Sequence, residues 1–377
     1  MKSKKIIFFT LLAITIFFIG YIAGSNELPF NNTLKILYRD AIQMSNNEKF
    51  EYIDPFFYKT NVSSLIDIKT EQDIIEKRKN LIKFIWKDNG FSYQELPTKI
   101  ETNISDEQFN KLTNLERIDR YTVSMDHGVN STAYFFLANE KNNKLVIYHE
   151  GHGGHFIRGY DTIATLLENN YSVIAFSMPL LGTNNQPEIE IPHLGRIKLQ
   201  NHNNLQFLDN DEFSSIKFFL HPIAVSLNYL DKTYNFDTYY MVGISGGAWT
   251  TTLYSAIDDR IQKNYPVGGP LPLFLTINVP GNEGDYELNL PELYNEANFL
   301  ELFIMGSYGN GREQLKILNK YDSCCYYGIS YQVFEDDVKQ VMRELDNGSF
   351  EIYLDTTHRE HKISETSLNL ILNSMQN

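Results

Sequence analysis

Cysteine is nearly missing from this chain of 377 residues, and the two it has are neighbours, Cys324-Cys325. Adjacent cysteines cannot tie distant segments together, and a bond between them closes a strained ring. Both therefore read as small core or loop residues. There is no C-x-x-C pair and no metal-type cysteine spacing, which argues against dithiol redox chemistry and cysteine-ligated zinc. Basic charge is also in deficit, with 33 Lys+Arg against 47 Asp+Glu and a net charge of −14. Nucleic acid, whose phosphates want a basic surface, is a poor fit as partner. Collagen-like, heptad and solenoid repeats are lacking too. Apolar material, by contrast, is plentiful, at 42% hydrophobic and 14% aromatic residues. That suffices for a substantial core and excludes a disordered acidic chain. The length suits one large domain with insertions, or two small ones.

One long uncharged stretch stands out at the N-terminus, Ile6 to Gly24, preceded by Lys2, Lys4 and Lys5. At about 1.5 Å per residue, its length approaches a hydrocarbon core. The basic flank would hold the N-terminus in the cytoplasm and send the rest outward. Because Ile22-Ala23-Gly24 makes a poor cleavage site, an uncleaved membrane anchor (residues 1–24) is favoured over a signal peptide. Either way the remainder is expected outside the cytoplasm, membrane-anchored or secreted.

Residues 25–116 read as a charged, helical N-terminal extension, with amphipathic pieces at Gln72–Trp86 and Glu107–Leu115. From residue 117 to 377 the pattern changes. Arg120–Met125 and Thr132–Ala138 read as a hairpin around Asp126-His127-Gly128-Val129-Asn130. Strands at Lys144–Tyr148, Tyr171–Phe176, Tyr239–Val242, Gln314–Leu318 and Phe350–Leu354 then alternate with helices. The helices fall at Asp161–Leu167, Phe213–Leu230, Ala248–Ile257, Asp336–Glu344 and Ser364–Leu372, the last with Ser364 as N-cap. The expectation is an α/β domain with a mainly parallel sheet flanked by helices. Two irregular stretches, Thr183–Glu212 and Gly268–Phe299, interrupt the alternation and read as insertions over the active site.

Gly243-Ile244-Ser245-Gly246-Gly247 is the most informative segment. G-x-S-x-G between a strand and a helix describes a tight turn that lifts one hydroxyl clear of the sheet edge. At usual glycine and serine frequencies of about 7% the pattern arises by chance in roughly one chain in ten of this length. The flanking strand and helix are what give it weight. A serine hydroxyl needs a base to take its proton and a carboxylate to orient that base. It also needs donors for the negative charge that develops on the substrate oxygen. Asp322, in the loop after Gln314–Leu318, is the best acid, ahead of Glu335, Asp336 and Asp337. His361 and His358 lie between the last strand and last helix, with His361 favoured as base. The loop His149-Glu150-Gly151-His152-Gly153-Gly154-His155 can turn backbone N–H groups toward a ligand. Its rival reading is a metal site on His149, His152 and His155, disfavoured because a glycine-rich loop cannot hold the helical spacing of H-E-x-x-H.

On the serine motif, the glycine-rich loop and the order Ser…Asp…His, the chain from about Arg120 onward resembles the α/β-hydrolase family. The turn Ser177-Met178-Pro179-Leu180-Leu181-Gly182 adds to the likeness. The resemblance implies Ser245 as nucleophile, Asp322 as orienting acid and His361 as base. Gly246 and the His152–Gly153 backbone would supply the oxyanion hole. It implies a serine hydrolase acting on a small-molecule carboxylic ester, or an amide, with no metal or other cofactor. The alternatives are a small-peptide peptidase and a non-catalytic binding protein on the same scaffold.

Overall fold

The computed structural model describes residues 47–87, 90–91, 93–277 and 284–376. Residues Ile53–Asn377 form one compact unit. The apolar stretch Ile6–Gly24 lies outside the described residues, among which no helix is long and apolar enough to cross a membrane.

A nine-stranded sheet runs through the unit in the order β1-β2-β3-β5-β4-β8-β9-β10-β11. The first three strands are β1 (Lys99–Glu101), β2 (Leu115–Ser124) and β3 (Asn130–Ala138), paired antiparallel. The rest are parallel to one another: β4 (Lys144–His149), β5 (Ser172–Phe176), β8 (Thr238–Ile244), β9 (Ile261–Val267), β10 (Glu313–Asn319) and β11 (Ser349–Asp355). A separate hairpin pairs β6 (Glu188–Ile191) with β7 (Gly195–Lys198). Strand β4 shows why the sheet is covered on both faces. Its Leu145 and Ile147 point into one apolar cluster, its Val146 and Tyr148 into the other, as the two-residue strand period requires.

Among the described residues, eight α-helices flank the sheet or lie in its connections: α1 (Glu71–Trp86), α2 (Tyr160–Glu168), α3 (Lys217–Thr233), α4 (Gly246–Ile257), α5 (Pro291–Glu296), α6 (Phe299–Ser307), α7 (Glu335–Leu345) and α8 (Glu365–Gln376). Helices α4 and α6 are buried on all sides, which explains their lack of a polar stripe. Helix α1 starts at a capping box between Thr70 and Asp73. It is fastened to the domain by Lys77–Glu301 (3.0 Å) and by Arg78 Nε donating to the Ala256 carbonyl (3.1 Å).

The structure departs from the sequence expectations at four places. Glu107–Phe109 is a short 3-10 turn and Leu115 already belongs to β2, so no helix spans Glu107–Leu115. Strand β1, within the stretch set apart as a helical extension, forms an edge of the main sheet. Strand β9, unanticipated, sits centrally between β8 and β10. Finally, Cys324 and Cys325 are joined in a disulfide. Adjacency rules out a long-range staple, but not a ring closed within one turn.

Chain connectivity places the site. From β4 the chain moves to β5 on one side, and β8 lies on the other. The crevice beyond the carboxyl ends of β4 and β8 is therefore a topological switch point, where ligands bind in open α/β sheets. His149 pairs with Gly243 at that edge. Backbone bonds then carry the same edge outward: Ser245 N–H to Val267 O (3.0 Å), Gly268 N–H to Ile317 O (2.8 Å) and Lys320 N–H to Asp355 O (2.8 Å).

Candidate active site

Ser245 has φ 58° and ψ −120° at the junction of β8 and α4. A non-glycine residue in this region costs about 1–3 kcal/mol and persists only where its surroundings impose it. Here they do. A Cβ on Gly243 would lie 2.1 Å from the Gly247 carbonyl oxygen, and one on Gly247 would lie 2.1 Å from that of His149. Both obstacles are backbone and cannot swing aside. The glycines are thus required by close approach, and the turn they permit presents the serine above the sheet edge. As the first residue of α4, Gly246 has an N–H with no partner inside the helix.

The loop beyond β10 carries Asp322, which is fully buried. Its Oδ1 accepts the backbone N–H groups of Cys324 (2.7 Å) and Cys325 (3.3 Å), the disulfide pair. Its Oδ2 accepts from Asn319 Nδ2 (3.2 Å) and from His361 Nδ1 (2.7 Å). An ionised carboxylate can only accept, so Nδ1 of His361 carries the hydrogen and Nε2 presents its lone pair. That Nε2 is buried and makes no hydrogen bond. The loop bearing His361 is pinned by Asp355, whose carboxylate accepts from Thr357 N–H (2.8 Å), Thr357 Oγ1 (2.6 Å), Ser367 Oγ (2.6 Å) and Ser364 Oγ. Burial raises the Asp355 pKa, but these hydroxyls outweigh it and hold the carboxyl at about 2. His358 faces Asp355 at 3.6 Å and the Lys362 carbonyl, away from Asp322.

Ser245, His361, Tyr148, Glu150, Arg158 and Ile363 line a common cleft of about 290 Å³. A larger surface cleft of about 610 Å³ near Phe84, Asp209 and Tyr286 contains none of these groups. The loop after β4 closes onto the serine turn, since a Cβ on Gly151 would be 2.6 Å from Ser245 Cβ. Glu150 is buried and its pKa is raised by burial, against bonds from Tyr148 Oη (2.7 Å) and Gly151 N–H (3.2 Å).

The three histidines of that loop go separate ways. His149 is buried, stacks on Phe176 and donates Nδ1–H to the Glu150 carbonyl (2.8 Å). Burial lowers its pKa to about 4, so it is neutral near pH 7. His155 accepts the Ile157 N–H (2.9 Å) as the cap of a short 3-10 turn. His152 alone stays at the site, its ring against Gly246, where an added Cβ would be 2.5 Å from Nδ1. The backbone of Gly153, the other residue expected beside it, is crossed by Arg158, whose Nη1 would be 2.9 Å from an added Cβ.

Comparison with family profiles and with curated proteins finds no match. Solved structures do match. Acetyl xylan esterase 1 from Thermoanaerobacterium sp. JW/SL YS485 superposes with a TM-score of 0.53 at 12% identity, over 86% of this chain and 98% of that one. An acetyl xylan esterase from Paenibacillus sp. R4 gives 0.53 at 15% identity, over 88% and 98%. A methylesterase gives 0.52 at 14% identity, over 89% of this chain and 68% of its own. The fold is that of the α/β-hydrolases.

Ser245, Asp322 and His361 follow β8, β10 and β11, and stand at one edge of the sheet because these strands, with β9 between β8 and β10, all run parallel. Several residues beside the site were not singled out by the sequence pattern. His202, Asp285 and Glu287 come from the two insertions and meet His152. His152 Nε2 is 2.9 Å from Asp285 Oδ2 and 2.8 Å from Glu287 Oε1, and His202 Nδ1 is 2.9 Å from the same Glu287 oxygen. No periodicity or motif links residues so far apart in the chain. The one available signal was a histidine and two carboxylates inside long irregular stretches at the ligand-binding edge.

Proposed function

We propose that this chain is a serine hydrolase that cleaves carboxylic esters of small molecules through an acyl-enzyme on Ser245. The observation that carries the reading is the 2.7 Å bond from His361 Nδ1 to buried Asp322, with Nε2 unpartnered in the cleft that Ser245 lines. In this scheme His361 Nε2 takes the Ser245 proton as Oγ attacks the carbonyl carbon, and Asp322 stabilises the imidazolium. The backbone N–H of Gly246 and one from the His152–Gly153 stretch receive the oxyanion. His361 returns the proton to the departing alcohol, then activates water to release the acid. No step calls for a metal or organic cofactor.

A cleft of about 290 Å³ is at the small end for ligand pockets and favours a short acyl group. The two fold neighbours named as acetyl xylan esterases are named for an acyl group of that size.

The test is hydrolysis of p-nitrophenyl esters of increasing acyl length by the chain lacking residues 1–24, beside Ser245→Ala. The expected result is activity highest on acetate or butyrate, and a loss of at least about 10⁴-fold in the variant. Equal rates in the two proteins would remove Ser245 as nucleophile. If both are silent, labelling with a fluorophosphonate decides: a serine-dependent adduct keeps the mechanism, and none rejects it.

A further inference from the structure

Four potential metal ligands converge beside the loop that packs on Ser245. They are His152 and Glu287, joined by His202 from the 3-10 turn His202–Leu208 and by Asp285 just before the turn Tyr286–Leu288. His152 Nε2 and His202 Nδ1 lie 3.1 Å apart, and both approach Glu287 Oε1, at 2.8 and 2.9 Å. All four ligand atoms fall within 4.8 Å of one another. Tetrahedral zinc with bonds of about 2.0–2.1 Å separates its ligands by roughly 3.3 Å, a spacing that lies between the closest approaches in the cluster, 2.8–3.1 Å, and its 4.8 Å limit.

His202 Nε2 faces the Pro179 carbonyl oxygen at 3.0 Å, an acceptor that requires N–H on that nitrogen, and Nδ1 is the ring atom turned to His152 and Glu287. A ring N–H held by a backbone carbonyl is how metal-ligating histidines are commonly oriented. A second observation is independent of these contacts: Glu287 is fully buried and its Oε2 has no hydrogen-bond partner.

We propose that His152 Nε2, His202 Nδ1, Glu287 and Asp285 bind one divalent cation of the zinc class. Two imidazoles with two carboxylates suit zinc better than magnesium or calcium, which prefer all-oxygen shells. With four protein ligands the ion is structural. It clamps both insertions to the segment of backbone next to Ser245, because the far edge of the His152 ring rests on Gly246. The insertions already touch there, with Tyr286 N–H donating to Asn203 Oδ1 (3.0 Å). From Glu287, the carbonyl oxygen accepts from Tyr294 Oη (2.8 Å), which in turn accepts from Trp249 Nε1 (2.8 Å) on α4.

The experiment is elemental analysis and thermal unfolding of the full-length chain in mild detergent, as purified, after chelation and after zinc return. One zinc per chain is expected, with unfolding lowered by about 5–10 °C on chelation and restored by zinc. His202→Gln and Glu287→Gln should lose the ion, while His193→Gln, on the β6–β7 turn, should keep it. Cobalt added to the chelated protein should give the intense visible absorption of a four-coordinate site. Unchanged zinc binding in both variants overturns the proposal. So does a wild-type chain that neither binds zinc nor yields the cobalt spectrum, a result readable even if the variants misfold. None of these readouts depends on ester hydrolysis, so they stand or fall separately from the proposed reaction.

Discussion

Asp322 and His358 make opposite predictions from similar chemistry. Asp322 is buried, and its Oδ2 holds the hydrogen on His361 Nδ1. Asp322→Asn keeps the shape but can present an amide N–H where only an acceptor serves. It favours the tautomer with hydrogen on Nε2, the atom that must accept the serine proton. The expected loss in kcat is about 10³–10⁴-fold with little change in KM. His358→Gln removes a ring that faces Asp355 and the Lys362 carbonyl, and should cost less than about tenfold. Steady-state kinetics on one ester, with both variants shown to be folded, checks the pair. A larger loss in His358→Gln than in Asp322→Asn would make His358, in place of His361, the base.

Strand β10 places Asp322 and also carries a lysine where strands of parallel sheets are usually apolar. Lys316 is fully buried, donates to the Pro270 carbonyl (2.8 Å) and lies over the Phe303 ring. Burial pushes its pKa down to about 7. Between about pH 7 and the ordinary lysine value near 10.4, the unfolded chain holds a proton that the folded one has released. Stability therefore rises with pH across that window. Lys316→Met abolishes this contribution. Its stability relative to wild type should be greatest at pH 6 and fall by about 2–4 kcal/mol by pH 10. Denaturant midpoints at the two pH values measure it, and parallel profiles for the two proteins would refute it. The same residue shows where sequence patterning succeeds and where it fails. The other four residues of Gln314–Leu318 suffice to reveal a strand, and the steric need of Gly243, whose obstacle is the Gly247 carbonyl, is local enough to read directly. Strand β9 is masked by Lys263, Asn264 and Pro266, whose polar or breaker character argues against a central strand. Asn264 is accommodated only because its Nδ2 reaches the Gly306 and Glu313 carbonyls. Strand β1 is three residues long and leans on the paired bonds from Arg120 to Glu101 at 2.8 Å. The His152–His202–Asp285–Glu287 cluster arises from two insertions meeting in space, which no local pattern encodes.

For the whole molecule, the question is what holds it where it works. The chain is acidic, with a net charge of −14, and its early basic residues, Lys2, Lys4 and Lys5, all precede the apolar stretch. An acidic body is repelled by anionic lipid headgroups, so any membrane attachment has to come from apolar insertion and not from surface charge. Salt separates the two, because it screens electrostatic binding and leaves insertion intact. Expressed with its first 24 residues in a bacterial host, the protein is expected in the membrane pellet through a 1 M salt wash (a Debye length of about 3 Å) and released by detergent. Protease added to spheroplasts should digest the domain, placing it outside. Without residues 1–24 the protein should be soluble, with kcat/KM on a short ester within about twofold of the detergent-solubilised full chain. Release by salt alone would replace the anchor with a peripheral contact. Recovery of the uncut full-length chain in the soluble fraction would remove membrane attachment altogether. A soluble but inactive truncation would instead assign the first 24 residues a part in the catalytic unit.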